Sequence, residues 1–128
     1  MPGKILVCDD EAPLRHALRD KLTREGFEIE EAEDGEEALV KMKSFKPDLL
    51  LLDFVMPRKD GVEVLKAMQK DEEIKDIKVI MLTNLSDPMK SYEATDAGEG
   101  VLTSMDYLVK SDWKLEEVVE KINDKLKG

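Results

Sequence analysis

Four consecutive leucines, Leu49 to Leu52, constrain the fold of this chain more than any other feature. A strand with no polar alternation needs apolar cover on both faces, which is typical of a parallel strand between two layers of helices. The run ends on a carboxylate, Asp53, and open α/β sheets bind their ligands at the carboxyl ends of their strands. The sequence therefore predicts a buried central strand with an acid at its functional end, although a strand that ends in an ordinary turn aspartate gives the same local pattern.

Four other short segments predict further strands, and segments with helical spacing follow each of them. The other predicted strands are 4–8, 28–32, 78–83 and 107–110, of which 28–32 is interrupted by acids and suits a sheet edge. The predicted helices lie near 14–26, 38–45, 64–68, 88–98 and 115–126. Five strands that alternate with five helices predict right-handed crossovers and a mostly parallel, doubly wound sheet.

Length and composition limit the function classes. A chain of 128 residues suits a single domain, and its longest apolar runs have the length of strands, so neither a signal peptide nor a membrane span is predicted. The 30 acidic and 20 basic residues give a net charge of −10, which opposes close approach to a nucleic acid. The single cysteine, Cys8, lies in an apolar run and suits a reducing compartment as a small buried residue. These features predict a cytoplasmic domain that contacts neither nucleic acid nor membrane directly.

Polar side chains stand at the carboxyl ends of the predicted strands, either as the last residue of the strand or directly after it. They are Asp9, Asp10, Asp53, Thr83 and Lys110. The carboxyl ends of parallel strands meet at one edge of a sheet, where three crowded carboxylates would repel one another and recruit a cation. Oxygen ligands favour Mg²⁺ or Mn²⁺ over zinc. With an ion in place, a carboxylate can attack phosphorus, while Lys110 attracts phosphoryl oxygens and Thr83 donates a hydrogen bond to them.

A combination of short motifs resembles the receiver domain of two-component response regulators, of the chemotaxis-regulator type, over nearly the whole chain. The motifs are Asp9-Asp10-Glu11, Asp53 with Met56-Pro57 and Asp60-Gly61, Leu82-Thr83, Ala97-Gly98 and the segment from Asp106 to Lys110. The resemblance implies a flavodoxin-like fold, in which a doubly wound, five-stranded parallel sheet forms the middle of three α/β/α layers. It also implies that residues 1–128 are a single receiver domain.

The same resemblance implies a role for each site residue. Asp53 would accept a phosphoryl group from the phosphohistidine of a histidine kinase or phosphotransfer protein, or from a small donor such as acetyl phosphate. The family's Mg²⁺ site, which Mn²⁺ can also fill, corresponds to Asp9 (largely through water), Asp10, Asp53 and the backbone carbonyl of Val55.

The resemblance assigns a switch to Thr83 and Tyr107. On phosphorylation the threonine moves toward the phosphoryl group and the tyrosine ring turns inward, which reshapes the surface of the fourth helix, fifth strand and fifth helix. That surface would contact a downstream output protein or an effector domain outside these residues, and it could support a phosphorylation-dependent homodimer. Such a module catalyses only its own phosphorylation and dephosphorylation and is otherwise not an enzyme.

Three features depart from the family pattern. Ser111 follows Lys110 where the family usually has a cis proline, and a cis bond to a non-proline residue costs about 2.5–4 kcal/mol, so the loop is either rearranged or held by other contacts. Residues 99–105 lengthen a connection that is usually short. The added residues would extend a helix or the strand, form a docking loop, or be a tolerated surface insertion. Asn84 occupies a position where the family favours a small residue, which predicts slower phosphorylation and dephosphorylation than in an Asn84→Ala variant.

Other function classes fit less well. A pseudo-receiver would keep the fold as a docking module without phosphorylation, but all five principal site residues are present. A Mg²⁺-dependent phosphohydrolase with an aspartyl nucleophile typically needs a second aspartate two residues later, where this chain has Val55. Flavin phosphates bind to Ser, Thr and Gly amides after the first strand, whereas Asp9, Asp10 and Glu11 would repel them.

Overall fold

The computed structural model describes residues 3–53, 60–83, 106–109 and 114–127 and contains a five-stranded parallel sheet in the order β2-β1-β3-β4-β5. The strands are β1 (Lys4–Cys8), β2 (Glu28–Ala32), β3 (Leu49–Asp53), β4 (Lys78–Thr83) and β5 (Asp106–Val109). The helices are α1 (Ala12–Arg24), α2 (Gly35–Phe45), α3 (Gly61–Gln69) and α4 (Leu115–Lys127). The doubly wound parallel sheet is confirmed; the helix predicted near 88–98 and the insertion 99–105 lie outside the described residues.

The leucine run forms the centre of the sheet, as predicted. All four leucines of β3 are 0% exposed, and the strand lies between β1 and β4. Alternate side chains point to opposite faces: Leu50 and Leu52 pack in the core with residues of α2 and α3, while Leu49 and Leu51 pack with residues of α1 and α4. The two cores explain why this strand has no polar alternation.

The helix beginnings follow from local sequence signals. Pro13 lies in the first turn of α1, where its missing N–H costs no hydrogen bond, so the helix starts two residues before the first predicted apolar position. Asp60 caps α3 by accepting a hydrogen bond from the Glu63 N–H at 2.9 Å, and the Glu63 side chain accepts from the Asp60 N–H at 3.3 Å. Such a capping box stabilises a helix by about 1 kcal/mol, and α3 accordingly starts at Gly61, earlier than predicted.

The acid-rich strand β2 lies at a sheet edge, as its sequence predicted. The last strand, β5, covers Asp106–Val109 rather than 107–110, a shift of one residue that leaves its parallel pairing with β4 intact. Among the described residues, no helix is both long and apolar enough to cross a membrane.

Candidate functional site

The register of the sheet brings the predicted acids together. β1 and β3 pair in parallel with Cys8 opposite Leu52, so the residues that follow them, Asp9 and Asp53, stand side by side at the carboxyl edge. Asp10 continues from Asp9 into the loop before α1. The sequence prediction that these three acids share one edge of the sheet is confirmed.

The three carboxylates form a tight cluster. Asp9, Asp10 and Asp53 each offer an oxygen, and these oxygens lie within 4.8 Å of one another. Asp9 is 0% and Asp53 is 5% exposed, whereas Asp10 is open to solvent. Like charges at this separation repel, and burial weakens the screening by water. Because all the donors are carboxylate oxygens, the cluster suits a hard divalent cation such as Mg²⁺.

The backbone of Asp9 is held from several sides. Its N–H donates to the Ala32 carbonyl at 3.1 Å, its carboxylate oxygen Oδ1 accepts from the Glu11 N–H at 2.9 Å, and its carbonyl accepts from Arg15 Nη1 at 2.8 Å. Such side-chain hydrogen bonds to nearby backbone shape short loops. Asp9 therefore both builds the loop between β1 and α1 and offers an oxygen to the acidic cluster.

The Cys8 thiol, one residue before Asp9, is buried in the core between the sheet and helices α2 and α3. Its sulfur donates to the Asp34 carbonyl at 3.4 Å. Burial raises the pKa of the Cys8 thiol far above its ordinary value, and the negative charges of Asp53 and Asp9 raise it further. The thiol stays protonated at neutral pH, in agreement with the prediction that Cys8 is a small buried residue.

The other predicted site residues are placed by the backbone. Asp53 pairs with Leu82 across β3 and β4, so Thr83 comes one residue beyond that pair at the same edge. Tyr107 lies in β5 opposite Met81 of β4. The remaining predicted residues, Val55, Asn84, Lys110 and Ser111, lie outside the described residues.

The sheet order, the helices on both faces and the three acids at the carboxyl edge agree with one family. The profile of the response regulator receiver domain matches residues 5–123. The chain belongs to this family. The family prediction made from the motifs is thereby confirmed, and a receiver domain is a signalling module of two-component systems. Receiver domains in general bind Mg²⁺, and the donors found at this edge fit that ion.

Relatives of this receiver domain include longer proteins. The transcriptional regulatory protein ResD of Bacillus subtilis is 42% identical over 107 residues, covering 84% of this chain and 41% of that protein. The phosphate regulon transcriptional regulatory protein PhoB of Pseudomonas aeruginosa is 37% identical over 99 residues, covering 77% of this chain and 43% of that protein. The receiver domain spans less than half the length of these two relatives.

Solved structures agree with the fold of the receiver domain. The chemotaxis response regulator CheY4 of Vibrio cholerae has 29% identity and a TM-score of 0.81, covering 97% of this chain and 98% of that one. A putative response regulator from Chloroflexus aurantiacus also has 29% identity, with a TM-score of 0.82 and complete coverage of both chains.

Sequence reasoning missed the pair Arg15 and Glu31 beside the acidic cluster. Arg15 is 6% exposed; its Nε donates to Glu31 Oε1 at 2.9 Å, and its Nη1 donates to the Asp9 carbonyl. A signal was present, since Arg15 stands one residue after Leu14 at the border of the apolar face of α1. The sequence could not indicate that β2 would place a carboxylate opposite it.

The Glu31 carboxylate is bound by a second arginine. Arg19 Nη1 donates to Glu31 Oε2 at 2.9 Å. Burial alone would raise the pKa of Glu31, but the hydrogen bonds from Arg19 and Arg15 outweigh it and hold the pKa below its ordinary value. Glu31 is therefore ionised at neutral pH and neutralises the cations of α1.

Proposed function

We propose that this receiver domain takes a phosphoryl group onto Asp53 in a Mg²⁺-dependent reaction. The observation that carries this proposal is the position of Asp53: it ends the buried central strand, is 5% exposed, and shares a 4.8 Å cluster with Asp9 and Asp10. A carboxylate in this setting is ionised only at the cost of repulsion from its neighbours, which a divalent cation relieves. Asp53 is then a nucleophile fixed in place by a rigid strand.

The transfer requires one bond to form and one to break. A carboxylate oxygen of Asp53 attacks phosphorus, the P–N bond of a kinase or phosphotransfer phosphohistidine breaks, and the imidazole nitrogen keeps the electron pair and takes up a proton. Asp9, Asp10 and Asp53 would hold Mg²⁺, together with the Val55 carbonyl that the family resemblance adds. When bound, the ion supplies positive charge to the phosphoryl oxygens.

Two further residues are proposed to assist the transfer. Thr83 ends the strand next to Asp53, so its hydroxyl is a candidate donor to a phosphoryl oxygen. Lys110 follows directly after β5 in the sequence and would offer a positive charge to the same group. These roles rest on the family motifs and on the backbone register of β4 and β5.

Phosphorylation is proposed to switch a protein-interaction surface. The new group adds negative charge and acceptor oxygens, which can bias two arrangements of a packed region. Thr83 and Tyr107 belong to paired strands, β4 and β5, and are the proposed switch residues. ResD and PhoB are by name transcriptional regulators, so we propose that an output domain or protein reads this surface in the cytoplasm, with a phosphorylated homodimer as one form of the readout.

Intact mass measurement with matched variants tests the phosphorylation site. The wild-type chain is incubated with acetyl phosphate, with Mg²⁺ or with EDTA, and we expect the mass of one phosphoryl group to be added only with Mg²⁺. Asp53→Asn should gain none, while Asp48→Asn, which alters a carboxylate at the opposite edge of the sheet, should react like wild type. A wild-type chain that gains no mass would instead indicate a pseudo-receiver, and an equal gain in Asp53→Asn would place the group elsewhere.

A further inference from the structure

Arg15 is a buried cation that contacts the loop carrying the acidic cluster without belonging to the cluster. Its guanidinium is 6% exposed and joins the Asp9 carbonyl, at 2.8 Å, to the Glu31 carboxylate, at 2.9 Å. We propose that Arg15, oriented by Glu31, is a positioning residue that fixes the β1–α1 loop so that Asp9 and Asp10 present their oxygens to the metal ion. This inference rests on the proposed function, because it takes the cluster to be a Mg²⁺ site.

The shape of the guanidinium explains why an arginine occupies this position. Arginine presents its N–H donors in a planar, rigid fork, so one side chain can reach two acceptors that belong to different elements. In Arg15 the Nη1 arm reaches the loop after β1, and the Nε edge reaches a carboxylate of β2. A lysine carries the same charge on a single nitrogen and cannot reproduce both contacts in the same geometry.

Glu31 is itself anchored, which makes the support of Arg15 rigid. Its second oxygen, Oε2, accepts from Arg19 Nη1 at 2.9 Å, and its backbone carbonyl accepts a hydrogen bond from Lys41 of α2. Contacts from α1 and α2 therefore converge on Glu31 of β2, the residue that orients the guanidinium bound to the Asp9 carbonyl. Groups that orient metal ligands in this way affect metal affinity although they do not touch the ion.

The charge of Arg15 would by itself weaken Mg²⁺ binding, because a cation beside a metal site repels the ion. Glu31 offsets that charge at 2.9 Å, and Glu33 lies 3.8 Å from Arg15 Nη2. The pair can therefore orient the loop with little net charge. The contribution of Arg15 to Mg²⁺ affinity is therefore geometric. A lysine at this position keeps the positive charge but lacks the planar guanidinium, so it will reveal that contribution.

Calorimetric titration of the whole chain with Mg²⁺ tests the inference without any phosphoryl donor. We expect Arg15→Lys to bind Mg²⁺ about tenfold more weakly than wild type, in the range found for residues that orient metal ligands. Arg19→Lys is the matched control: Arg19 lies one turn further along α1 and bonds to the same Glu31 at 2.9 Å. Because Arg15 itself makes the bond to the Asp9 carbonyl, Arg19→Lys leaves that bond in place and should weaken Mg²⁺ binding much less than Arg15→Lys does.

A kinetic measurement separates positioning from a merely structural role. The rate of phosphorylation by acetyl phosphate is measured over a range of Mg²⁺ concentrations, well below the melting temperature of each variant. In Arg15→Lys we expect the half-saturating Mg²⁺ concentration to rise about tenfold, while the rate at saturating Mg²⁺ is retained. A lower melting temperature with an unchanged Mg²⁺ dissociation constant would make Arg15 a purely structural residue and overturn the inference.

A second variant decides the question if Arg15→Lys does not fold. Glu31→Ala removes the carboxylate that orients Arg15 and leaves the charge of Arg15 without its main counterion, so Mg²⁺ affinity should again fall, and unchanged affinity would overturn the inference. The wild-type titration distinguishes the two levels of the argument. If the wild type binds no Mg²⁺, the proposed function and this inference both fail; if the wild type binds Mg²⁺ and neither variant changes the affinity, only this inference fails.

Discussion

Carboxylates occur at both edges of the central sheet, and their surroundings differ. At the amino edge, Asp48 stands just before β3, and its Oδ2 accepts a hydrogen bond from the Lys4 N–H at 2.8 Å. At the carboxyl edge, Asp53 ends the same strand and faces Asp9 and Asp10 within 4.8 Å. An aspartate thus stands at each end of β3. Asp48 has a backbone N–H beside it, whereas Asp53 has other carboxylates beside it. The comparison teaches that a carboxylate beside a backbone donor stabilises the fold, whereas carboxylates grouped together suit a cation.

A cavity of about 590 Å³ lies at the amino edge, and side chains that line it connect strands and helices of the fold. Its lining consists of Gly3, Pro47, Asp48, Glu73, Asp76, Ile77, Lys78 and Leu126. Lys78 donates to the Lys125 carbonyl at 2.9 Å, which ties the start of β4 to the end of α4. The cavity at the amino edge thus lies away from the proposed phosphorylation site, which is marked instead by the clustering of like charges.

The largest expected difference between the two edges is the response to Mg²⁺. An ion that binds only the folded state raises the free energy of unfolding by about 2.7 kcal/mol at one hundred times its dissociation constant. We expect this gain for wild type and for Asp48→Asn, and none for Asp53→Asn. Denaturant unfolding with Mg²⁺ and with EDTA measures it. Equal Mg²⁺ responses in the two variants would remove the distinction between the edges.

Neutralising each aspartate without Mg²⁺ should change stability in opposite directions. Two unit charges 4.8 Å apart repel by about 0.9 kcal/mol even at the dielectric constant of water, and Asp53 has two such neighbours. Asp53→Asn should therefore raise the free energy of unfolding in EDTA by about 1–2 kcal/mol, whereas Asp48→Asn should lower it. Urea titrations of both variants check the signs, and a loss of stability in Asp53→Asn would contradict the repulsion argument.

A methyl group at Gly3 should disturb only the amino edge. A Cβ built there would lie 2.5 Å from Asp48 Oδ2, the oxygen that accepts from the Lys4 N–H. Gly3→Ala would displace the carboxylate and cost about 1 kcal/mol, the contribution of one hydrogen bond, with no change in phosphorylation. The same substitution in an Asp48→Ala background is the control. If the cost persists there, it does not come from the Asp48 contact.

The sequence predicted much of the fold because its signals are local or strongly periodic. The leucines of β3 could only be buried on both faces, and the acids of β2 marked an edge strand. The three clustered acids were also predictable, since parallel strands end at a common edge and Cys8 and Asp53 close their strands in the sequence. The spacing of apolar residues is sufficient for such predictions because it depends on each strand alone.

The contacts that the sequence did not indicate depend on the register between strands. Glu31 reads as one acid among several in β2, and Arg15 as a polar residue near the apolar face of α1. Their contact requires β2 to pair with β1 so that Val7 lies opposite Glu31, which brings this carboxylate beside the α1 arginine. Alternation cannot reveal which of several acids will meet a cation on another element, so the support of the Asp9 loop emerged only with the structure.

The smallest predicted effect concerns Glu31, an acid near the carboxyl edge that is bound by cations as Asp48 is bound by the backbone. The hydrogen bonds of Arg19 and Arg15 lower the pKa of Glu31 in the folded state from its ordinary value of 4.5. A lowered pKa means that its stabilisation is complete above the unfolded value and is lost as the pH falls through the folded value. Glu31→Gln should therefore be less stable than wild type at pH 7, and the two should converge as the pH falls below 4.5 and through the lowered pKa of the folded state.

Denaturant unfolding in EDTA between pH 7 and pH 3 measures this convergence. Glu28→Gln, at the exposed start of the same strand, is the matched control and should keep the wild-type slope. A Glu31→Gln curve that runs parallel to wild type down to pH 3 would mean that the arginines gain nothing from the charge of Glu31. Glu31 would then act on Arg15 through hydrogen-bond geometry alone.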